Sequence, residues 1–181
     1  MQSNILTYDI VKIPPELLHS NSLFISEKEL AKVKAQFKIT ANFFIAKVKN
    51  YYYKVEGHPK ITDGGLGLGK VKLDHCEIPS EGKISIEYSP SVKIIPAGSV
   101  HLNIILKKKG LKVSLTSQQE YKEEELEKDF IFRYDNCIIN YNQLFYLKPY
   151  ESNESSCDGS IIVLETTSLL NFDNEREKVA I

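Results

Sequence analysis

Residues 83–91 read KISIEYSPS and contain both a strand and the point at which it ends. Ile84, Ile86 and Tyr88 alternate with polar residues, which is the period-two pattern of a half-buried β-strand. Pro90 follows the strand, and proline restricts the backbone conformation on both of its sides. We therefore predict that the chain divides at this point into two β-rich parts of nearly equal length.

Similar strand patterns lie on both sides of this segment, and helices are fewer. In a capping box a serine side chain accepts a hydrogen bond from the backbone three residues later, and this motif predicts helices that start at Ser26 and Ser117. The expected fold class is therefore mainly β with some α (α+β). The other predicted strands cover residues 43–48, 51–55, 99–106, 143–148 and 160–165.

The composition of the 181-residue chain is ordinary, with a net charge of −1. Nucleic-acid binders usually carry a clear basic excess, so we expect no nucleic-acid partner. No apolar run approaches the roughly 18 residues of a membrane span, and the first residues lack the pattern of a secretory signal. The three cysteines are widely spaced, which is typical of a reducing compartment. We expect a cytoplasmic protein without membrane insertion.

The glycine-rich segment from Gly64 to Lys70 matches the first seven positions of a phosphate-binding P-loop. The next position of that motif supplies a hydroxyl group to magnesium, but here it is Val71. The preceding residues, KITD, also do not form the buried strand that the motif requires. We therefore expect no nucleotide binding, and we interpret the segment as a flexible crossing or tight loop in which glycines adopt positive φ angles.

His75 and Cys76 are adjacent and raise the question of metal binding or thiol catalysis. A zinc site needs three or four ligands, usually with short paired spacings, and a catalytic thiol needs a base and an orienting group. The sequence shows neither arrangement around these residues, so we expect no metal, no cofactor and no catalytic residue in this chain. A small enzyme that uses His75 and Cys76 is an alternative, which an accessible thiol with a perturbed pKa would favour.

A basic run, Lys107 to Lys109, follows directly from a predicted strand. The spacing alone leaves two interpretations open. Lysines at a sheet edge keep a protein soluble and block unwanted strand pairing. They also form a local positive surface that attracts an acidic partner, and such a patch is informative in a chain whose overall charge is near zero.

Four segments of the chain, read in order, resemble one protein family. They are LFISEKEL at 23–30, HPKITDGGL at 58–66, AGSVHLNIILKK at 97–108, and DFI at 129–131 with Asn136, Gln143 and Phe145. Their order and spacing over residues 5–168 are similar to those of the amino-terminal domain of the N-ethylmaleimide-sensitive fusion protein family of AAA ATPases.

The resemblance implies a double-ψ β-barrel subdomain at residues 1–88, an α/β roll subdomain at residues 92–170, and a linker or tail at residues 171–181. In that family this domain binds the soluble attachment protein (SNAP) and so recruits SNARE complexes for disassembly in vesicle transport. ATP and magnesium belong to ATPase cassettes that are absent from these residues. We therefore expect an excised domain or a lone homologue, hexameric only if such cassettes follow.

The resemblance also implies which residues contact an acidic adaptor of the SNAP type. The lysine pair of the family falls on Lys107 and Lys108, and its amino-terminal basic residue falls on Lys12. A third basic contact, in a strand after the glycine crossing, falls on Lys70 or Lys72, although the aromatic residue expected after it is missing. The alternative is a ubiquitin- or cofactor-binding domain of the valosin-containing-protein or Ufd-one type, which has the same barrel. A hydrophobic groove between the subdomains would favour that alternative.

Overall fold

The structure is a computed structural model that describes residues 4–17, 20–108, 123–147, 160–170 and 179–180. The description of side chains omits residues 70, 71, 105–108, 146, 160–163, 179 and 180. The helices are α1 (Glu27–Phe37), α2 (Lys70–His75) and α3 (Glu123–Tyr134), with a 3-10 turn at Pro15–Leu17. The strands are β1 (Ile5–Val11), β2 (Leu23–Ile25), β3 (Phe43–Val48), β4 (Tyr51–Gly57), β5 (Gly65–Gly67), β6 (Lys83–Tyr88), β7 (Ser99–Lys108), β8 (Ile139–Asn140), β9 (Leu144–Leu147), β10 (Ser160–Leu170) and β11 (Val179–Ala180).

The first six strands close into a barrel in the order β1–β5–β2–β4–β3–β6. Two of the neighbouring pairs, β1–β5 and β2–β4, are parallel. The members of each pair are far apart in the chain, because parallel strands need a long crossover connection. Alternate residues point into the barrel because successive side chains of a strand lie on opposite faces. In β3 this places Phe44, Ala46 and Val48 in the core, where they meet Tyr53 and Val55 of β4. Residues 4–88, which contain this barrel, are called the first half below.

The position of β5 corrects the interpretation of the glycine-rich segment. The strand Gly65–Gly67 lies inside the barrel sheet, and of the glycines between 64 and 69 only Gly64 has a positive φ angle, at 78°. A Cβ atom on Gly67 would lie 2.6 Å from Ile13 Cγ2 and 2.9 Å from Ile61 Cδ1. Gly67 is therefore required by the close approach of neighbouring side chains, and the expectation of a flexible loop is wrong for this strand.

Helix α2 contains Lys70 and Lys72, where the family resemblance implies a strand, and that expectation is also wrong. Gly69 has an extended backbone at the start of the helix. Its carbonyl accepts hydrogen bonds from the backbone N–H groups of Lys72 at 2.9 Å and Leu73 at 3.2 Å. These bonds close the first helical turn. The first of them also satisfies the backbone donor of Lys72, which has no i−4 partner within the helix.

Helix α1 begins where the capping box predicts it. Ser26 has an extended backbone and its Oγ accepts a hydrogen bond from Glu29 N at 3.1 Å. The same hydroxyl group donates to Asp63 Oδ1 at 2.6 Å, which ties the start of the helix to the segment before β5. Lys38 ends the helix in the left-handed conformation and its N–H group bonds to Lys34 O. Local sequence signals therefore determine both the start of this helix and its serine cap.

The second half, residues 97–170, contains a three-stranded antiparallel sheet in the order β7–β10–β9. Helix α3 covers part of it with Phe130 and Tyr134, whose rings lie 5.2 Å and 4.7 Å from the ring of Phe145 on β9. Leu164 of β10 and Leu147 of β9 complete the core beneath them. The two described residues of β11 pair with β8 in a separate small sheet.

The described chain is thus mainly β with few helices, and it contains a closed six-stranded barrel, which confirms the coarse fold class. Strands β3 and β6 have the predicted limits, whereas β4, β7 and β10 run two to five residues beyond the predicted ends. The capping box at Ser117 lies outside the described residues. None of the described helices has the length and apolar character that a membrane crossing would need.

Candidate protein-binding surfaces

A buried network of three side chains joins the two halves. Asn21 donates from Nδ2 to Ile138 O at 2.6 Å, and its Oδ1 accepts from Gln143 Nε2 at 2.7 Å. Gln143 Oε1 accepts from the backbone N and from Nδ2 of Asn140, at 2.8 Å and 2.9 Å. The three side chains, called the inter-half network below, are at most 6% exposed. Because they pair with one another, their burial does not leave polar groups without hydrogen bonds.

Asn140 also bonds to the part of β4 that is not paired with β2. Strand β2 pairs with β4 only from Val55 onward, so the backbone of Tyr52 lies beyond that pairing. Asn140 Oδ1 accepts from Tyr52 N at 2.8 Å, and Asn140 Nδ2 donates to Tyr52 O at 2.9 Å. One amide side chain thereby takes the place of a neighbouring strand. This arrangement holds the second half in a defined position against β4.

A groove of about 460 Å³ lies beside this network, between the barrel and the end of α3. Lys54 crosses it and donates from Nζ to Asn136 O. The lining carries acidic and basic side chains together, so the groove is neither lined with lysines nor hydrophobic. It consists of Glu16, Ser20, Ser22, Lys54 and Glu56 from the first half, and Arg133, Asp135, Asn136 and Cys137 from the second.

The structure places the predicted contact lysines in different environments. Lys12 is exposed and directly follows β1. Lys107 and Lys108 are the last residues of β7, where their backbones pair with the start of β10. Lys70 is the first residue of α2. The side chains of these last three residues lie outside the description, so whether the lysines form one surface stays a prediction. Lys12, Lys70, Lys107 and Lys108 are called the lysine surface below.

Lys72 does not belong to this surface, because the structure buries it. Its side chain donates from Nζ to Ser20 O at 2.5 Å, and the residue is 5% exposed. Burial lowers the pKa of Lys72 to about 8, since a charged ammonium group is costly to remove from water. Of the two alternatives, the burial of Lys72 disfavours it as an exposed contact, and a contact at Lys70 stays a prediction.

The surroundings of His75 and Cys76 are unlike those of a reactive thiol and its base. Cys76 is 3% exposed, and its sulfur lies 3.5 Å from the hydroxyl group of Tyr53. Burial raises the pKa of the Cys76 thiol and lowers the pKa of His75, so both groups favour their neutral forms. The ring of His75 lies 4.2 Å from that of Tyr51, and its buried Nε2 has no hydrogen-bond partner among the residues that the structure describes. A reactive thiol would instead be accessible and have a lowered pKa.

A metal site is not apparent in the described ranges, which contain no group of three His, Cys, Asp or Glu side chains that could hold an ion. The P-loop resemblance also has no structural counterpart there. The positions between its two motif glycines, Gly64 and Gly69, are occupied largely by the strand β5, and α2 has only six residues. A phosphate-binding P-loop needs an exposed loop whose backbone N–H groups surround the phosphates.

Sequence reasoning missed Asn21 and Asn140 as functional candidates, and it expected a groove between the subdomains to be lined by lysines, whereas the observed lining is mixed. Asn21 contacts Ile138, which is 117 residues away, so no spacing pattern could indicate the pair. Gln143 was named as a candidate residue only through the family resemblance. The groove is likewise assembled from segments that are distant in the sequence.

Comparison with known proteins adds no relative. The chain matches no protein-family model, and no curated protein matches it.

Proposed function

We propose that this chain is a protein-binding module of the type found at the amino terminus of the N-ethylmaleimide-sensitive fusion protein family. In this proposal the barrel is a double-ψ barrel and the second half is an α/β roll. The module binds an acidic adaptor of the SNAP type through the lysine surface, and so recruits SNARE complexes for disassembly during vesicle transport in the cytoplasm. It uses no cofactor and no catalytic residue of its own.

The location of the four resembling segments supports this proposal. Residues 23–30 form β2 and the start of α1, and residues 58–66 lead from β4 into β5. Residues 97–108 lead into β7 and end with its lysine pair, and residues 129–145 run from α3 into β9. These positions in the fold are compatible with the proposal. The two parallel strand pairs of the barrel are also compatible with crossing connections of the double-ψ kind.

The observation that carries the proposed contact is the lysine pair at the end of β7. A strand end is held firmly by its partner strand, here β10, so the backbone of Lys107 and Lys108 is well positioned for an incoming partner. Exposed ion pairs contribute only about 0.2–1 kcal/mol each, so useful affinity needs several lysines together. Such contacts also increase the rate of association and weaken in salt.

The groove favours neither the acidic-adaptor hypothesis nor its rival, because its lining is neither rich in lysine nor hydrophobic. A ubiquitin- or cofactor-binding domain of the valosin-containing-protein or Ufd-one type would be favoured by a hydrophobic groove. The observed lining has five ionisable side chains, Glu16, Lys54, Glu56, Arg133 and Asp135, and does not favour that alternative. The buried Cys76 thiol likewise does not favour the alternative of a small enzyme.

The proposal is tested by reversing the charge of the lysine pair. We expect Lys107→Glu with Lys108→Glu to weaken binding of a SNAP-type adaptor by about tenfold or more, because like charges then face each other. The control is Lys32→Glu with Lys93→Glu, which changes the net charge equally at two exposed lysines outside the proposed surface. Affinity is measured by titration at low and high salt.

The control variant should bind within about twofold of the wild type, and high salt should weaken wild-type binding. Equal affinity of the wild type and the lysine-pair variant would overturn the proposed contact. Circular dichroism of all three proteins shows whether each remains folded, so that a loss of binding is not mistaken for a loss of structure.

A further inference from the structure

The outward side of α3 carries two large apolar side chains that nothing in the described part of the chain covers. Phe132 is 87% exposed and Ile131 is 56% exposed. The inward side of the helix already has its own apolar residues, because Leu126, Phe130 and Tyr134 pack into the core of the second half. Ile131 and Phe132 are therefore not needed to pack the helix against this core.

Single exposed apolar residues are common on protein surfaces, but an aromatic ring as open to water as that of Phe132 is not explained by folding. Residues 131 and 132 are adjacent in a helix, so their side chains leave it about 100° apart and border one continuous strip of its surface. Apolar strips of this kind on a soluble surface often mark a contact with another molecule. The strip is small, so its contact needs support from neighbouring charges.

Those neighbouring charges are mostly negative. The exposed ionisable side chains of α3 and the turn that follows it comprise five acids and one base. At about 100° per residue, Glu123 lies opposite Phe132, whereas Glu124, Glu125 and the base share the outward side with Phe132. Arg133 does not offset them, because it is partly buried and bonds from Nε to Asp129 Oδ1 at 2.7 Å. The five acids are Glu123, Glu124, Glu125, Glu127 and Asp135, and the base is Lys128.

We propose that the outward face of α3 binds a basic segment of another protein, with an apolar side chain of that segment seated on Phe132 and Ile131. The apolar strip provides the anchor, and the surrounding carboxylates select Lys and Arg at the flanking positions of the partner. This surface has the opposite charge to the lysine surface. The two surfaces therefore take chemically different partners, and the inference does not rest on the proposed function.

The groove lies beyond the end of the helix, and its lining carries charges of both signs. Asp135 lies at the end of α3 and lines the groove together with Glu16 and Glu56. Glu16 is paired with Lys60, while Lys54 reaches across to Asn136. A basic segment that runs along α3 toward its carboxyl end would next meet Asp135, which lines this groove of mixed charge.

A synthetic probe tests this proposal with the whole 181-residue chain. The probe is an amphipathic helical peptide of about 14 residues, roughly the length of α3, with leucines on one face and lysines on the other. The control probe has glutamates in place of the lysines. Binding is measured by fluorescence anisotropy at low and high salt for the wild type, Phe132→Ser and Glu124→Lys with Glu127→Lys.

We expect the lysine probe to bind and the glutamate probe not to bind. Phe132→Ser should weaken binding by about tenfold, as expected for the loss of an aromatic anchor. The matched control is Ile5→Ser, which removes an exposed apolar residue of the barrel and should change affinity by less than about twofold. The double glutamate variant should weaken binding and reduce its dependence on salt.

Equal binding of the lysine probe to the wild type and Phe132→Ser would overturn the proposal, and so would equal binding of the two probes. Sedimentation of the chain alone distinguishes another occupant: a dimer that Phe132→Ser abolishes would show that a second copy covers this face, which also overturns the proposal. Because Phe132 is almost fully exposed, its substitution should leave the urea midpoint unchanged. Ile131→Ser serves as a second test of the anchor if it does not.

Discussion

At the level of single residues, Lys72 shows how a charged group becomes part of an interior. Its stem and ammonium group are buried, with one hydrogen bond to Ser20 O. An ammonium group has three donors, so this single protein acceptor compensates only part of the hydration that burial removes. The lowered pKa of Lys72, about 8 against an ordinary value of 10.5, expresses the same cost.

Replacing Lys72 by methionine should therefore stabilise the protein near neutral pH. The methionine keeps an unbranched apolar stem and removes the buried charge. We expect the free energy of unfolding at pH 7 to rise by about 1–2 kcal/mol, because removal of a poorly compensated buried ion outweighs the lost bond to Ser20 O. Urea denaturation of both proteins at pH 7 measures this difference, and a clear loss of stability in the variant would contradict it.

The pH dependence provides a second measurement of the same group. Between pH 8 and about 10.4 the unfolded chain still holds the Lys72 proton, whereas the folded chain has lost it. Unfolding then takes up a proton, so the contribution of Lys72 to stability rises with pH across this window. The gain of Lys72→Met over the wild type should shrink accordingly from pH 8 to pH 10. A gain that is constant over this range would show that Lys72 does not titrate as proposed.

At the level of elements, β5 lies between two neighbouring strands that run in opposite directions. It is parallel to β1 and antiparallel to β2, and it has only three residues. Glycines usually weaken a strand, because they contribute no side chain to the packing. Here the missing side chain lets Ile13 and Ile61 pass directly over the strand. The barrel therefore depends on a close approach that a larger residue would prevent.

We expect Gly67→Ala to destabilise the barrel by about 1–3 kcal/mol, because the new Cβ would lie 2.6 Å from Ile13 Cγ2 and force the packing apart. Gly64→Ala is the matched control. At that position nothing lies within 4 Å of the added Cβ, and only the positive φ angle is unfavourable. Its expected cost is about 1 kcal/mol. Urea denaturation orders the two variants, and a smaller loss for Gly67→Ala than for Gly64→Ala would refute this account of β5.

At the level of the whole molecule, the inter-half network determines how the barrel and the sheet of the second half are held together. Asn21, Asn140 and Gln143 are buried and bonded to one another, and Asn140 also bonds to the edge of β4. Fully satisfied polar networks favour one arrangement over others, since any displacement leaves a buried donor or acceptor unpaired. The network should therefore give the two halves a single relative position, and with it a single shape of the groove.

Gln143→Leu should destabilise the protein by about 2–4 kcal/mol, because Asn21 Oδ1 and the backbone N of Asn140 lose their partner in a buried site. The same substitution at exposed Gln36 on α1 is the control and should cost less than about 0.5 kcal/mol. Asn21→Ala and the double variant complete a double-mutant cycle. A coupling energy near zero between Asn21 and Gln143 would show that the network does not act as a unit.

What the sequence by itself determined is the local part of this structure. The alternation at residues 83–88 and 43–48 predicts both strands with their observed limits, and Ser26 predicts the start of α1. The start of the helix depends on a hydrogen bond between residues that are three positions apart. Each strand depends on alternate side chains that face a core.

Only the tertiary structure decided the remaining features, because they depend on residues that are far apart in the chain. The strand needs glycine at position 67 because Ile13 and Ile61 pack directly against it, although the local sequence resembles that of a loop. Lys72 is buried because Ser20, 52 residues away, supplies its acceptor. The side chains of Asn21 and Gln143 are 122 residues apart and share one hydrogen bond. Such contacts follow from how the chain closes on itself, which no local pattern of residues contains.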